Sequence, residues 1–183
     1  LGMVARTSVR LQAASPTPPP GVEDLLADLA DGENGFMGTP VHGGEATLAE
    51  FLQQCRDQAE AKSLPEGWVP QTIFWMLDDD GQAVGMVRMR HYLNDALLRH
   101  GGHIGFYVRK DRRGRGYATQ ALLASLRRLH ALGESRALLT VDAANLASIR
   151  VIESVGGHRD PADDADGEER RYWVELSAPV PHA

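Results

Sequence analysis

The feature that most constrains this chain is a change of hydrophobic period across one short basic turn. Residues 102–108 read as a strand, with His103-Ile-Gly-Phe-Tyr-Val108 as its body. From Tyr117 onward Ala118, Leu122, Leu126 and Leu129 recur at helical spacing, and Gly133 closes the stretch. Between them stands Arg109-Lys-Asp-Arg-Arg-Gly-Arg-Gly116, too short to be a domain linker and too charged to be core. A strand that runs through such a turn into a long helix must cross over before the next strand, residues 137–141, can be laid down.

The segments before this turn favour a different arrangement. Residues 71–77 and 83–92, separated by Asp78-Asp-Asp-Gly81, read as a hairpin, and residues 102–108 as a third antiparallel strand. Upstream, residues 7–11 read as a short strand and residues 15–21 as a stiff proline-rich connector. Val22, Leu25, Leu26 and Leu29 mark a first helix. Residues 31–44, with five glycines and a proline, read as a loop. Thr47-Leu-Ala-Glu50 is a capping box opening a second helix that reaches about Lys62, and residues 65–70 are a break. Residues 94–99 read as a helical turn or a loop. Residues 146–155 form a further helix ended by Gly156-Gly157, residues 160–169 a solvated acidic turn, and residues 170–176 the closing strand. An antiparallel half followed by a crossover half implies an α+β fold built on one mixed sheet.

Composition narrows the function classes. At 183 residues the chain has the length of one domain and can bury a core without staples; 43% of it is hydrophobic and 24% charged. The net charge of −6 makes a general nucleic-acid coat a poor reading, although a local basic patch survives in the turn. A single cysteine, Cys55, excludes an intramolecular disulfide framework. With no apolar run of membrane length and no leader pattern, a soluble cytoplasmic location is expected. Leu1-Gly2 read as a remnant ahead of Met3, leaving residues 3–178 as a single domain.

The turn itself has the ingredients of a phosphate cradle. A helix start leaves several backbone N–H groups unpaired and carries partial positive charge. Gly114 and Gly116 permit a tight bend and close approach, and Arg112, Arg113 and Arg115 add full charges. No Gly-Lys-Ser/Thr string and no Gly-x-Gly-x-x-Gly is present, so neither a P-loop nor a Rossmann turn is indicated. Two competing readings remain at this level: a flexible RNA-contacting segment, and an ordinary turn with solvated arginines.

Arg113-Gly-Arg-Gly116-Tyr-Ala118 resembles the Arg/Gln-x-x-Gly-x-Gly/Ala turn of the GNAT superfamily of acetyl-CoA-dependent N-acetyltransferases. Asn145-Leu-Ala-Ser148-Ile-Arg-Val-Ile152-Glu-Ser-Val-Gly-Gly157 is similar to that superfamily's Asn-x-x-Ala/Ser-x-x-x-Tyr segment on the next helix. The strand 103–108 further resembles a little-characterised bacterial group. The resemblance is strong from about residue 83 to 155 and weak before residue 71. It implies a mostly antiparallel sheet with a parallel, splayed central pair, flanked by helices, and acetyl-CoA as co-substrate. His42, His100, His130, His158 and His182 show no metal-ligand spacing, so no metal is expected.

On the same resemblance, Phe106, Tyr107 and Val108 would pair with the pantetheine amides, and one of their N–H groups would face the thioester carbonyl. Arg113, Gly114, Arg115, Gly116, Tyr117, Ala118 and Thr119 would hold the pyrophosphate, with Asn145 and Ser148 along the cofactor. Asn145 equally suits a helix N-cap. The superfamily's acid tyrosine is replaced by Ile152, which cannot donate a proton. His103 is the first candidate base and His91 the second, set against the commoner fate of a lone histidine as a hydrogen-bonded strand residue. Trp68, Phe74, Trp75 and Met76 are core or an acceptor pocket, with core the commoner outcome at strand spacing. The expected partner is a primary amine on a small molecule or peptide, with no nucleic acid or membrane. A homodimer accords with the superfamily's habits. The alternative is a non-catalytic acyl-CoA-binding or sensing module.

Overall fold

The computed structural model describes residues 8–163 and 167–176, so Leu1, Gly2, Met3, Thr7 and His182 lie outside the described residues. In chain order the elements are β1 (Arg10–Ala13), α1 (Val22–Leu29), β2 (Gly32–Glu33), β3 (Phe36–Met37), α2 (Leu48–Ala59), β4 (Gln71–Leu77) and β5 (Ala83–Arg90). They continue with α3 (Asp95–Arg99), β6 (Ile104–Val108), α4 (Tyr117–Ala131), β7 (Arg136–Asp142), α5 (Leu146–Ser154), β8 (His158–Arg159) and β9 (Glu169–Glu175). No helix among the described residues is long and apolar enough to cross a membrane.

The main sheet runs β1-β4-β5-β6 and a second runs β7-β9-β8, with every ladder antiparallel. The expected parallel central pair is therefore not present as a ladder, and one continuous mixed sheet is corrected to two sheets. The sheets touch at His103, whose N–H donates to the Leu138 carbonyl at 2.7 Å. Beyond that point β6 and β7 part, because residues 104–108 find their strand partner only in β5.

Period-2 alternation divides the main sheet between two cores. Phe74, Met76, Val87, Met89 and Ile104 face the apolar stripe of α4, where Leu122, Leu126 and Leu129 are fully buried. Ile73, Trp75, Leu77, Met86 and Tyr107 face α1 and α2, against Leu25, Leu29, Leu52 and Cys55. Phe74, Trp75 and Met76 are thus core, whereas Trp68 is 52% exposed.

Thr47 caps α2 as the sequence implies. Its hydroxyl accepts from the Glu50 N–H at 3.1 Å, and Glu50 returns the bond at 3.1 Å. Residues 31–44 are more than a loop. Asn34-Gly35, both at positive φ, make the two-residue turn of a miniature hairpin in which Glu33 faces Phe36.

Candidate functional site

Where β6 and β7 part they leave a cleft of about 460 Å³, and the N-terminus of α4 opens into it. The chain leaves Val108, makes one 3₁₀ turn over Lys110–Arg112, and enters α4 through Gly114 at φ 78° and Gly116 at φ 84°. A Cβ on either glycine would meet nothing within 4 Å, so the left-handed backbone, and not crowding, is what selects glycine here. Gly116 caps α4 without a side-chain hydrogen bond, and the first turn carries no acidic residue. The first N–H groups of α4, at Tyr117, Ala118 and Thr119, therefore have neither an intrahelical acceptor nor a capping oxygen. All three residues line the cleft, as do Gly114 and Gly116. Backbone donors and the positive end of the helix dipole together make a site for an anion.

The arginines divide their work. Arg113 lines the cleft with its Nε on the Val108 carbonyl at 2.9 Å, its two terminal nitrogens on Glu33, and its guanidinium 5.3 Å from the Tyr107 ring centre. That pairing holds the Glu33 carboxyl below, and the Arg113 guanidinium above, their ordinary ranges. Arg112 also lines the cleft and bonds Asp78 at 3.3 Å. Arg115 is exposed and outside the cleft lining, so it does not join the other predicted residues. Arg150, on α5, faces the same cleft from the opposite wall; sequence reasoning passed it over because its role depends on where α5 is placed.

β6 supplies the floor. Arg90 N–H donates to the His103 carbonyl and Arg109 N–H to the Val84 carbonyl, which fixes the alternation of the ladder. The N–H and C=O groups of Ile104, Phe106 and Val108 consequently point away from β5, toward the gap, while those of Tyr107 join Met86. Phe106, Tyr107 and Val108 all line the cleft, but only the first and third present backbone to it. Ile104 is the additional member that the sequence reading lacked. The Tyr107 side chain passes to the other face, where its hydroxyl donates to Asp28 at 2.5 Å. Burial first, then that bond to a carboxylate, raises the phenol above its ordinary range.

Asn145 and Ser148 line the far wall, on α5. Asn145 is the N-cap of that helix, its Oδ1 accepting the Ser148 N–H at 3.2 Å, which leaves its amide nitrogen for other use. Ile152 is buried against Gly157 and borders the cleft with an aliphatic side chain.

The two histidines lie outside the cleft lining. His103 is 3% exposed, and both ring nitrogens are occupied within the protein. Nδ1 accepts the Leu138 N–H at 2.9 Å, so Nε2 carries the proton and donates to Glu134 at 3.0 Å. Burial outweighs Glu134 and holds this imidazole below its ordinary range, in the neutral form. His91 bonds the Thr72 hydroxyl through Nε2 at 2.7 Å and is lowered by burial as well.

The hairpin β2–β3 brings part of residues 31–44, which the sequence shows only as a loop, into the site. Glu33, Asn34, Gly35 and Phe36 all line the cleft. Its signal was present, since Asn-Gly is a hairpin turn dipeptide, but strands of two residues show no alternation to reveal them.

Comparison with known proteins bears on this geometry. A family model described as an acetyltransferase (GNAT) domain matches residues 23–158. No curated protein matches the chain in sequence. Among solved structures, Mycobacterium smegmatis RimJ in complex with CoA-disulfide is 21% identical with a TM-score of 0.60, over 92% of this chain and 86% of that one. The Salmonella typhimurium yncA, a putative acetyltransferase with its cofactor acetyl-CoA, is 12% identical with a TM-score of 0.61, over 96% and 98%. A spermidine N-acetyltransferase SpeG chimera from Vibrio cholerae and hSSAT is 14% identical with a TM-score of 0.60, over 92% and 96%. At these identities the likeness is one of fold.

Proposed function

The chain belongs to the GNAT acetyltransferase family, and from that membership we propose that it transfers an acetyl group from acetyl-CoA to a primary amine of a small molecule or peptide. The observation that carries the reading is the uncapped N-terminus of α4 opening into a cleft beside the free edge of β6. Two neighbours of the same fold hold CoA-disulfide and acetyl-CoA, in keeping with such a cleft.

The residues present suit this co-substrate. The N–H groups at Tyr117, Ala118 and Thr119 would take the diphosphate, with the cations of Arg112 and Arg150 flanking it. The edge of Ile104, Phe106 and Val108 would pair with the pantetheine amides as a strand pairs with an extended peptide. One edge N–H would stabilise the negative charge that develops on the thioester oxygen during attack. The bound co-substrate supplies an activated acyl group, and the amine attacks it directly. Cys55 has no part in a covalent step, because burial pushes its thiol up to about 12.

Proton handling falls to solvent in this scheme. A leaving thiol of reference pKa about 8.5 departs without a dedicated acid near neutral pH. His103 is assigned as a positioning residue, since an imidazole bonded on both sides has no free nitrogen for a substrate proton. A second reading, an acyl-CoA sensor without turnover, is favoured by one observation, the isoleucine at position 152.

A thiol-release screen with amino acids, polyamines, aminoglycosides and peptides separates the two. Release of CoA only when an amine is present supports transfer. Saturable acetyl-CoA binding with no release across the panel supports the sensor, and absence of binding overturns both.

A further inference from the structure

Arg88 is a half-buried arginine whose guanidinium has no hydrogen bond and no ion pair among the described residues. It lies on β5, on the face turned toward α1 and α2, directly opposite Gly105 of β6. Its guanidinium carbon sits 4.9 Å from the centre of the Phe36 ring. The groups nearest to it electrostatically are Arg90, which repels it, and the Cys55 thiol, which burial keeps neutral. Arg90 is already served, its Nη1 donating to the Gly102 carbonyl at 2.8 Å. An exposed arginine such as Arg115 or Arg127 has water for a partner. Arg88 has mainly an aromatic face, and loss of water lowers its guanidinium from the ordinary arginine range. Leaving a cation in this state is costly unless an anion arrives to pair with it.

The position tells where that anion would come from. Gly105, Arg88's cross-strand neighbour, lines the cleft, and so does Phe36, which covers Gly105. Arg88 itself lies just outside that lining, and with no side chain at position 105 it is the Phe36 ring that stands between the guanidinium and the cleft. Both lie on the side of β6 away from α4, whose N-terminus would take the diphosphate, so this wall of the cleft is left for the acceptor. A single guanidinium is a planar fork that pairs two-pronged with a carboxylate, and its one unit of charge balances the one that a carboxylate carries.

We propose that Arg88, just behind the Phe36–Gly105 wall of this cleft, binds the acceptor past the Phe36 ring, and that the amine acetylated here also bears a carboxylate. This rests on the transferase reading above and narrows its substrate class. The net acidic charge of the chain would suggest simple cationic amines, and this local unpaired cation points the other way. The shared chemistry has two sources, a free amino acid and an acidic residue at the start of a peptide.

The test uses the full chain with Arg88→Met and Arg88→Lys. Thiol release is compared between glycine and glycinamide, and between a peptide amide beginning with aspartate and one beginning with asparagine. The expected result is a preference for the carboxylate member of one pair, which identifies the source. Arg88→Met should lower kcat/KM for that member about tenfold or more, and Arg88→Lys should lie between, while acetyl-CoA affinity by calorimetry stays unchanged. Equal rates within both pairs overturn the inference, whereas failure of acetyl-CoA to bind at all overturns the transferase reading instead. A measurement independent of turnover keeps the two apart. Sodium acetate in place of chloride, at constant ionic strength, should raise the melting temperature of wild type by about 2 °C and leave Arg88→Met unmoved. Without added anion, Arg88→Met should melt at or above wild type, since it removes an unpaired charge. An equal response to acetate, or a lowered melting temperature, overturns the proposal.

Discussion

Replacing His103 by leucine removes two hydrogen bonds at the place where the sheets part. The Leu138 N–H is left buried without an acceptor, which costs about 1–3 kcal/mol, and the Glu134 bond is lost for about 1 kcal/mol more. A total near ~3 kcal/mol lowers the melting temperature by about 6–12 °C for a chain of this size. His103→Asn separates the two bonds, because its Oδ1 stands where Nδ1 stood and still accepts from Leu138. That variant should lose only about 1 kcal/mol, or about 2–4 °C. The pH dependence has a definite sign. Burial lowers this imidazole in the folded state, so below about 6.5 the unfolded chain takes up a proton that the folded chain refuses. Stability should therefore be full above about pH 6.5 and decline as the pH falls, with the slope reduced in both variants. Thermal melts from pH 5 to 8, run beside kcat/KM profiles, decide the matter. If His103→Leu melts like wild type while kcat/KM loses its acidic limb, the histidine is a base and the reasoning is wrong.

Three further outcomes are expected. Thr47→Ala breaks the capping box of α2 and should cost about 1 kcal/mol, seen in urea melts as a lower midpoint at unchanged slope. Tyr107→Phe removes one of the bonds to Asp28; burial there opposes ionisation, but the bonds from Tyr107 and the Lys110 N–H outweigh it and keep the carboxyl low. Stability from Asp28 is thus present above its unfolded value near 3.8 and lost below it, and the variant should show a smaller loss between neutral and acid pH. Gly116→Val, at φ 84° with open space around it, should cost the fold about 1–2 kcal/mol of backbone strain yet weaken acetyl-CoA about tenfold or more in a calorimetric titration.

What the sequence made legible was local. The α4 stripe, the α2 capping box, the Asp78–Gly81 turn and the two glycines of the basic turn each announce themselves within a few residues, and the elements they mark lie within a few residues of their expected bounds, whereas the two-residue strands β2, β3 and β8 were not foreseen. The parting of β6 and β7 was implied only by the family resemblance, with its splayed central pair, and not by any local pattern in the two strands. The role of His103 was not legible, because its partners Leu138 and Glu134 stand more than thirty residues away. Arg88 reads in the sequence as an ordinary polar position in an alternating strand. Only the structure shows that no carboxylate lies across from it, with glycine in that place.

The claim on which the rest depends is that the N-terminus of α4 takes the diphosphate of acetyl-CoA. Amide chemical shifts of nitrogen-15-labelled protein during an acetyl-CoA titration test it most directly. The largest perturbations should fall on Gly114, Gly116, Tyr117, Ala118 and Thr119, with a second group at Ile104, Phe106 and Val108. Saturable binding that leaves the first group unmoved would contradict the account.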